Sequence, residues 1–277
     1  MRTLLICHEG ADLDREGLAR WFGSFSTFAG TVVVREPHSR LRKRIAREID
    51  RVGVFRFLDV LAFRAYHAIA HAAADRAWEQ RELQRLRAAY PNRPDAPELI
   101  ASSPNSALAE RFIRDRRPDL VVARCKTLLA ERIFSIPRLG TFVMHPGICP
   151  EYRNAHGCFW AKASGDYDNI GMTLLRIDKG VDTGPVYGYF RVVPDAGESH
   201  VVTQHRVVTD HLDAIREKLL EIAAGAAAPI DTSGRRSAAW GQPWLSAHLR
   251  MRHARRSDPE TGALRGEESR PRVKGTV

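Results

Sequence analysis

The sequence predicts an α/β domain built on a mostly parallel sheet, and three observations carry that reading. Short aliphatic runs at residues 4–7, 31–34, 120–123 and 141–144 are bounded by Gly, Pro or charged residues, as strands covered on both faces are. Segments with helical spacing fill the gaps: Leu13, Gly17, Leu18 and Trp21 before the second run, and Leu108, Phe112 and Ile113 before the third. Strand alternating with helix is the signature of a doubly wound sheet, and 277 residues suffice for one such domain with appendages.

The alternation breaks after Ser39. Leu41, Ile45, Ile49 and Val52 fall on one helical stripe among Arg40, Arg42, Lys43, Arg44, Arg47 and Arg51, and Phe55, Leu58, Ala62, Tyr66 and Ile69 form a second stripe after Gly53. Two or three amphipathic helices are therefore expected as an insertion at about 39–97, closed by the proline-rich loop from Pro91 to Pro97. Residues 171–177 and 186–193 read as paired strands, and 196–223 as one helix with Val202, His205, Val208, Leu212, Ile215 and Leu219 on a face. A domain spanning 1–225 is expected. A weakly structured extension follows at 226–252, and a basic tail at 253–277 has the composition of a disordered segment.

The formal net charge is +10, and its distribution is uneven. Residues 35–66 hold nine basic and four acidic side chains, residues 250–277 hold eight and four, and the other 217 residues carry 26 and 25. The excess belongs to two segments, so nucleic acid is not the expected partner of the domain as a whole. For the inserted helices three readings stay open: a solvated or packed face, a nucleic-acid patch, or peripheral membrane contact through residues 40–70, where Phe55, Phe57, Phe63 and Tyr66 lie beside arginines. Residues 52–74 are apolar but include Arg56, Asp59, Arg64, His67 and His71, which argues against a membrane span. The absence of an export signal and the scatter of Cys7, Cys125, Cys149 and Cys158 lead us to expect a cytoplasmic protein without a disulfide framework.

The densest group of reactive side chains follows the strand at 141–144: His145-Pro146-Gly147-Ile148-Cys149-Pro150-Glu151-Tyr152-Arg153-Asn154-Ala155-His156-Gly157-Cys158. His145 stands at the carboxyl end of its strand, where open parallel sheets bind ligands. The spacing of His145, Cys149, His156 and Cys158 fits no common zinc pattern, so no metal is expected.

This segment resembles the folate-dependent formyltransferases, whose methionyl-tRNA, glycinamide ribonucleotide and sugar-nucleotide enzymes share a His-Pro-x-x-x-Pro-x-Tyr-Arg motif. Two further pieces agree in order: Pro118-Asp119-Leu120-Val121-Val122-Ala123 with the loop that follows it, and Gly171-Met172-Thr173-Leu174 with Gly180-Val181-Asp182-Thr183-Gly184-Pro185. The resemblance runs from about Arg117 to Phe190 and implies a Rossmann-like formyltransferase fold. It implies 10-formyltetrahydrofolate as formyl donor and the amine of a small molecule, an amino sugar nucleotide or amino acid derivative, as acceptor. It also implies that Arg124, Cys125, Lys126, Thr127 and Leu128, with Ile177, Asp178 and Gly180, line the donor pocket, and that His145 and Asp182 are catalytic.

Attack of an amine on a formyl carbon leaves a negative oxygen and an extra proton on nitrogen. A His can hold a proton near that oxygen, and a carboxylate can orient it. The family pattern places a catalytic Asn two residues before the His, where this chain has Val143. Loss of one such donor costs on the order of 100- to 1000-fold in rate. Asn154 and His156 are the nearest candidates to replace it. Two alternatives stay open: a hydrolase or other one-carbon transferase on the same fold, and a degenerate ligand-binding or membrane-surface protein.

Overall fold

The computed structural model of the chain describes residues 1–35 and 39–257, with the backbone alone at 39–44, 47 and 255–257. Its centre is a seven-stranded sheet of β1 (Arg2–His8), β2 (Thr27–Val34), β3 (Glu98–Ala101), β4 (Leu120–Arg124), β5 (Gly140–His145), β7 (Gly171–Arg176) and β8 (Val186–Arg191). The order is β3-β2-β1-β4-β5-β7-β8. The first five strands are parallel, while β7 runs antiparallel to both β5 and β8. The four aliphatic runs all lie in central parallel strands, and the expected pair is the β7–β8 hairpin.

Alternation along the strands divides the core. Leu5, Cys7, Val122, Phe142 and Met144 face one layer with Trp21, Phe22 and Leu86, while Leu4, Ile6, Val32, Val121 and Ala123 face the other with Ile113 and Ile133. Leu13–Leu18 is a π-helical stretch leading into α1 (Ala19–Phe25). Ser106 caps α5 (Ala107–Arg116) by accepting from the Ala109 amide at 3.2 Å. β3 escaped the sequence reading because it is a four-residue edge strand, three of its residues partly or fully exposed.

The insertion is three helices, α2 (Ser39–Val52), α3 (Val54–Ala70) and α4 (Ala72–Ala89). The expected second stripe is corrected: α3 buries Phe57, Val60 and Phe63, and leaves Phe55 and Ile69 90% and 88% exposed. The expected helix at 196–223 is two, α8 (His200–Thr209) and α9 (Leu212–Ala223), because the chain tightens where the His211 amide bonds the Val208 carbonyl. Remaining elements are α6 (Glu131–Phe134), β6 (Arg153–Asn154), α7 (Gly157–Ala163), β9 (Ala239–Trp240) and α10 (Leu245–Ser257). The expectation of a weak extension and of a tail without structure from residue 253 is corrected as far as 257, since β9 pairs with β6 and α10 packs on α3 and α7. Residues 258–277 lie outside the described residues.

Histidines gather where the insertion meets the body. His200 on α8 has ring centroids of His67 at 4.9 Å and His156 at 5.5 Å, and Phe63 packs against both His200 and His248. Burial pushes His156 and His248 down to about 4 and His200 well below its ordinary value, with nearby Lys126 and Arg252 acting in the same direction on His156 and His248 respectively. A histidine depressed in the fold stabilises it while neutral, and that contribution is lost as pH falls from the unfolded value of about 6.5 toward 4. Hydrogen bonds from Arg87 and Arg20 help hold Glu16 down at about 2, so its titration belongs to a lower window. Thermal melting followed by circular dichroism is expected to drop by several degrees between pH 7.5 and pH 5. An equal or higher midpoint at pH 5 contradicts this account.

Candidate functional site

Strand β5 ends at His145, which pairs across the sheet with Thr173 on β7. Proline at 146 cannot donate to a ladder, so the chain leaves the sheet there. Thr173, fully buried, pins the departing loop: its hydroxyl donates to the Gly147 carbonyl at 2.6 Å and accepts from the Cys149 amide at 2.9 Å. The loop then folds back, and His145 Nε2 donates to the Tyr152 carbonyl at 2.9 Å. Two glycines permit this closure. A Cβ on Gly147 would overlap the Tyr152 carbonyl oxygen and stand 2.8 Å from His145 Nε2, and one on Gly157 would meet Gly147 Cα at 2.5 Å.

His145 is only 5% exposed, and its other ring nitrogen, Nδ1, faces Asp182 Oδ2 at 3.4 Å. Asp182 comes from the turn joining β7 to β8, where Asp178 accepts from the Gly180 amide at 2.9 Å and the Thr183 hydroxyl at 2.8 Å. Its Oδ2 also accepts from the Asn154 amide at 2.8 Å, while Arg153 Nη1 donates to the Val181 carbonyl at 2.9 Å. The two loops are thus tied by main chain and side chain together. Asn154, His156 and Asp182 have φ of 77°, 56° and 51°, and among the described non-glycine residues only Arg117, beyond α5, is also positive. Left-handed backbone concentrated in this way marks a segment held against its local preference, at a cost of order 1 kcal/mol or more per residue.

With Nε2 donating to a carbonyl, neutral His145 presents the bare Nδ1 to a carboxylate. Between Nδ1 and Oδ2 there is room for one more proton. The arrangement can therefore receive a proton from a reacting group and hold it between ring and carboxylate.

The remaining predicted residues divide. Asn154 Nδ2 spends one of its two N–H donors on the Trp240 carbonyl at 2.6 Å. His156 Nδ1 is 3.5 Å from Gln204 Nε2, so this ring belongs to the histidine group beside the site. The side chain of Arg124, expected in the donor pocket, is paired: Nε bonds Asp14 Oδ1 at 3.0 Å and Nη1 donates to the Met144 carbonyl at 2.7 Å, bracing β4 against β5. The backbone of exposed Lys126 donates to His8 Nε2 at 2.9 Å, and Cys125 Sγ lies 3.6 Å from the Thr127 carbonyl. Cys125 and Ile177 both pack at the margin of the apolar cluster on one face of the sheet, and Leu128 stands 64% exposed.

Val143, two residues before His145 on the same strand face, packs with Cys149, Leu175, Val186 and Tyr189 and supplies no donor. Burial raises the Cys149 and Cys158 thiols above their usual range, which keeps both protonated. Among the described residues no group of three or more His, Cys, Asp or Glu could hold a metal ion.

The sequence reading missed the strap at 235–241 that crosses the loop. Arg235 pairs with both Glu151 oxygens at 2.9 and 2.6 Å, and the Trp240 indole donates to the Glu151 carbonyl at 2.9 Å. The Trp240 ring stacks on Tyr152 and Trp160 at 5.9 and 4.9 Å. Two tryptophans, Trp240 and Trp244, in a stretch without periodicity were the available signal, since such large rings are seldom left unpacked.

The family model described as formyl transferase matches residues 79–215. The methionyl-tRNA formyltransferase of Thermotoga maritima is 28% identical over 132 residues, 47% of this chain and 42% of that protein. Its counterpart from Bacteroides fragilis is 33% identical over 131 residues, 43% of this chain and 40% of that protein. The chain therefore spans about two fifths of the length of these curated relatives. Among solved structures, phosphoribosylglycinamide formyltransferase from Anaplasma phagocytophilum superimposes with a TM-score of 0.53 at 14% identity, over 88% of this chain and 99% of that one. A sugar N-formyltransferase from Shewanella sp FDAARGOS_354 gives 0.53 at 11%, over 91% and 86%. These structural likenesses carry the fold.

The glycine contact yields a test of how the site is held. Gly147→Ala is expected to displace the Tyr152 carbonyl and release His145, lowering activity at least about tenfold and stability by about 1–3 kcal/mol. Chemical denaturation and turnover measured on one preparation check both, and full activity would show that His145 is positioned by other means.

Proposed function

We propose that the protein, whose residues 79–215 match the formyl transferase family model, transfers a formyl group from 10-formyltetrahydrofolate to the amine of a small-molecule acceptor. The observation that carries this reading is the His145–Asp182 pair, held in left-handed loops beyond the carboxyl end of β5. On this reading the loops 124–128 and 177–180 receive the flat heteroaromatic head of the donor, for which Leu128 and Ile177 offer apolar surface beside turn backbone. Bound there, the formyl-folate would supply the activated formyl carbon.

The chain's own residues do the rest. His145 and Asp182 take up the proton that the acceptor nitrogen releases and hold it between Nδ1 and Oδ2. Tyr152, through its carbonyl, fixes the ring so that this proton goes to one nitrogen. The buried surroundings of His145 exclude competing water. An amino sugar nucleotide or an amino acid derivative is the acceptor class this reading favours, in the cytoplasm, where the free thiols of Cys7, Cys149 and Cys158 stay reduced.

His145→Ala is expected to reduce formyl transfer by a factor of about 1000 or more while leaving the melting curve nearly in place. The assay follows a product heavier by one formyl group over a panel containing an amino sugar nucleotide, free amino acids and methionyl-tRNA. Unchanged turnover in this variant refutes the assignment, and the panel identifies the acceptor.

Val143→Asn supplies an amide on the face that carries His145, and a gain of about tenfold or more is expected. A fall in rate with intact folding would show that the pocket depends on the apolar contacts of Val143.

A further inference from the structure

Helix α3 turns one side to the body and leaves the other uncovered among the described residues. Phe57, Val60 and Phe63 are buried, and Asp59 on that flank accepts from the Ser246 amide at 3.0 Å and its hydroxyl at 2.5 Å. At 3.6 residues per turn, Val54, Phe55, Leu58, Leu61 and Ile69 fall within an arc of about 120° on the opposite side, over a length of about 22 Å. All five are exposed, together with Ala62 and Ala65 between them. A contiguous apolar face of this kind on a protein surface marks an interaction site.

Charge identifies what fits it. Helix α2, joined to α3 through the single residue Gly53, has six Arg or Lys residues against Glu48 and Asp50. Exposed Arg64 lies about 60° beyond one edge of the apolar arc on α3, while Arg56, on the side turned to the body, stacks 4.1 Å above the Trp244 ring. A second copy docked here by a two-fold contact would bring like-charged helices together, which disfavours self-association. A surface that is apolar beneath and anionic above accepts both helices at once.

We propose that this face seats the protein on an anionic lipid bilayer, with α3 lying in the plane of the interface and basic α2 beside it. The aromatic anchor is Phe55, and Ile69 is the apolar anchor at the far end of the helix. This is independent of what His145 and Asp182 catalyse.

The test is co-sedimentation of the full chain with vesicles of phosphatidylcholine alone and of phosphatidylcholine mixed with phosphatidylglycerol. Binding is expected to the mixed vesicles only and to weaken as salt rises. The double variant F55E/I69E is expected to bind about tenfold or more weakly with an unchanged melting curve, because both side chains are exposed. Equal binding or no binding to the two vesicle types overturns the proposal, as does full binding by the double variant. A wild-type dimer that the double variant converts to monomer assigns the face to a second copy and overturns it as well.

Discussion

The hydrogen bond from His145 Nε2 to the Tyr152 carbonyl is the constraint on which the site rests. It exists only if the loop beyond β5 returns to within about 3 Å of the residue where it began. That return needs a sharp exit at Pro146, two facing residues without side chains at Gly147 and Gly157, and a buried hydroxyl at Thr173 to satisfy the groups released from the ladder. Each solves a problem the previous one creates. Once the loop is closed, Asn154 is delivered to Asp182 and the second ring nitrogen of His145 acquires its partner.

Much of this was legible before any coordinates. Buried parallel strands are read directly from aliphatic runs, because both faces demand apolar residues and the signal is dense. The proximity of His145 and Asp182 was legible through the family resemblance, and the place of His145 also through its strand end. The role of Arg124 was not, since a cation in a loop looks the same in sequence whether it awaits an anion or is paired with Asp14 and Met144. Phe57 and Phe63 were misread for a related reason: α3 is apolar on nearly all sides, and periodicity cannot choose which stripe a neighbour will cover. Contacts between residues far apart in sequence, such as Asn154 with Trp240, leave no local trace at all.

The insertion and the last helix are joined to the body through aromatic and imidazole rings more than through ion pairs. Phe63, His67, His200 and His248 meet across α3, α8 and α10, and the Asp59–Ser246 bonds tie α10 to the insertion from the other side. Ring packing of this kind tolerates small shifts, whereas the site loop is fixed by directional hydrogen bonds. The molecule thus combines a stiffly determined loop with a softer junction, and the exposed face of α3 lies on the softer part.

The pairing of β6 with β9 has a consequence for the order in which the protein is made. The strap that buttresses the Tyr152 loop comes from residues 235–241, which are synthesised more than eighty positions after Asn154. On the ribosome the parallel strands can pair and the loop can form its local bonds while the strap is still within the exit tunnel. The clamp through Arg235 and Trp240 arrives last. Nascent chains ending near residue 225 would carry His145, Asn154 and Asp182 yet lack the clamp, so the buttress of their loop waits on a segment made later.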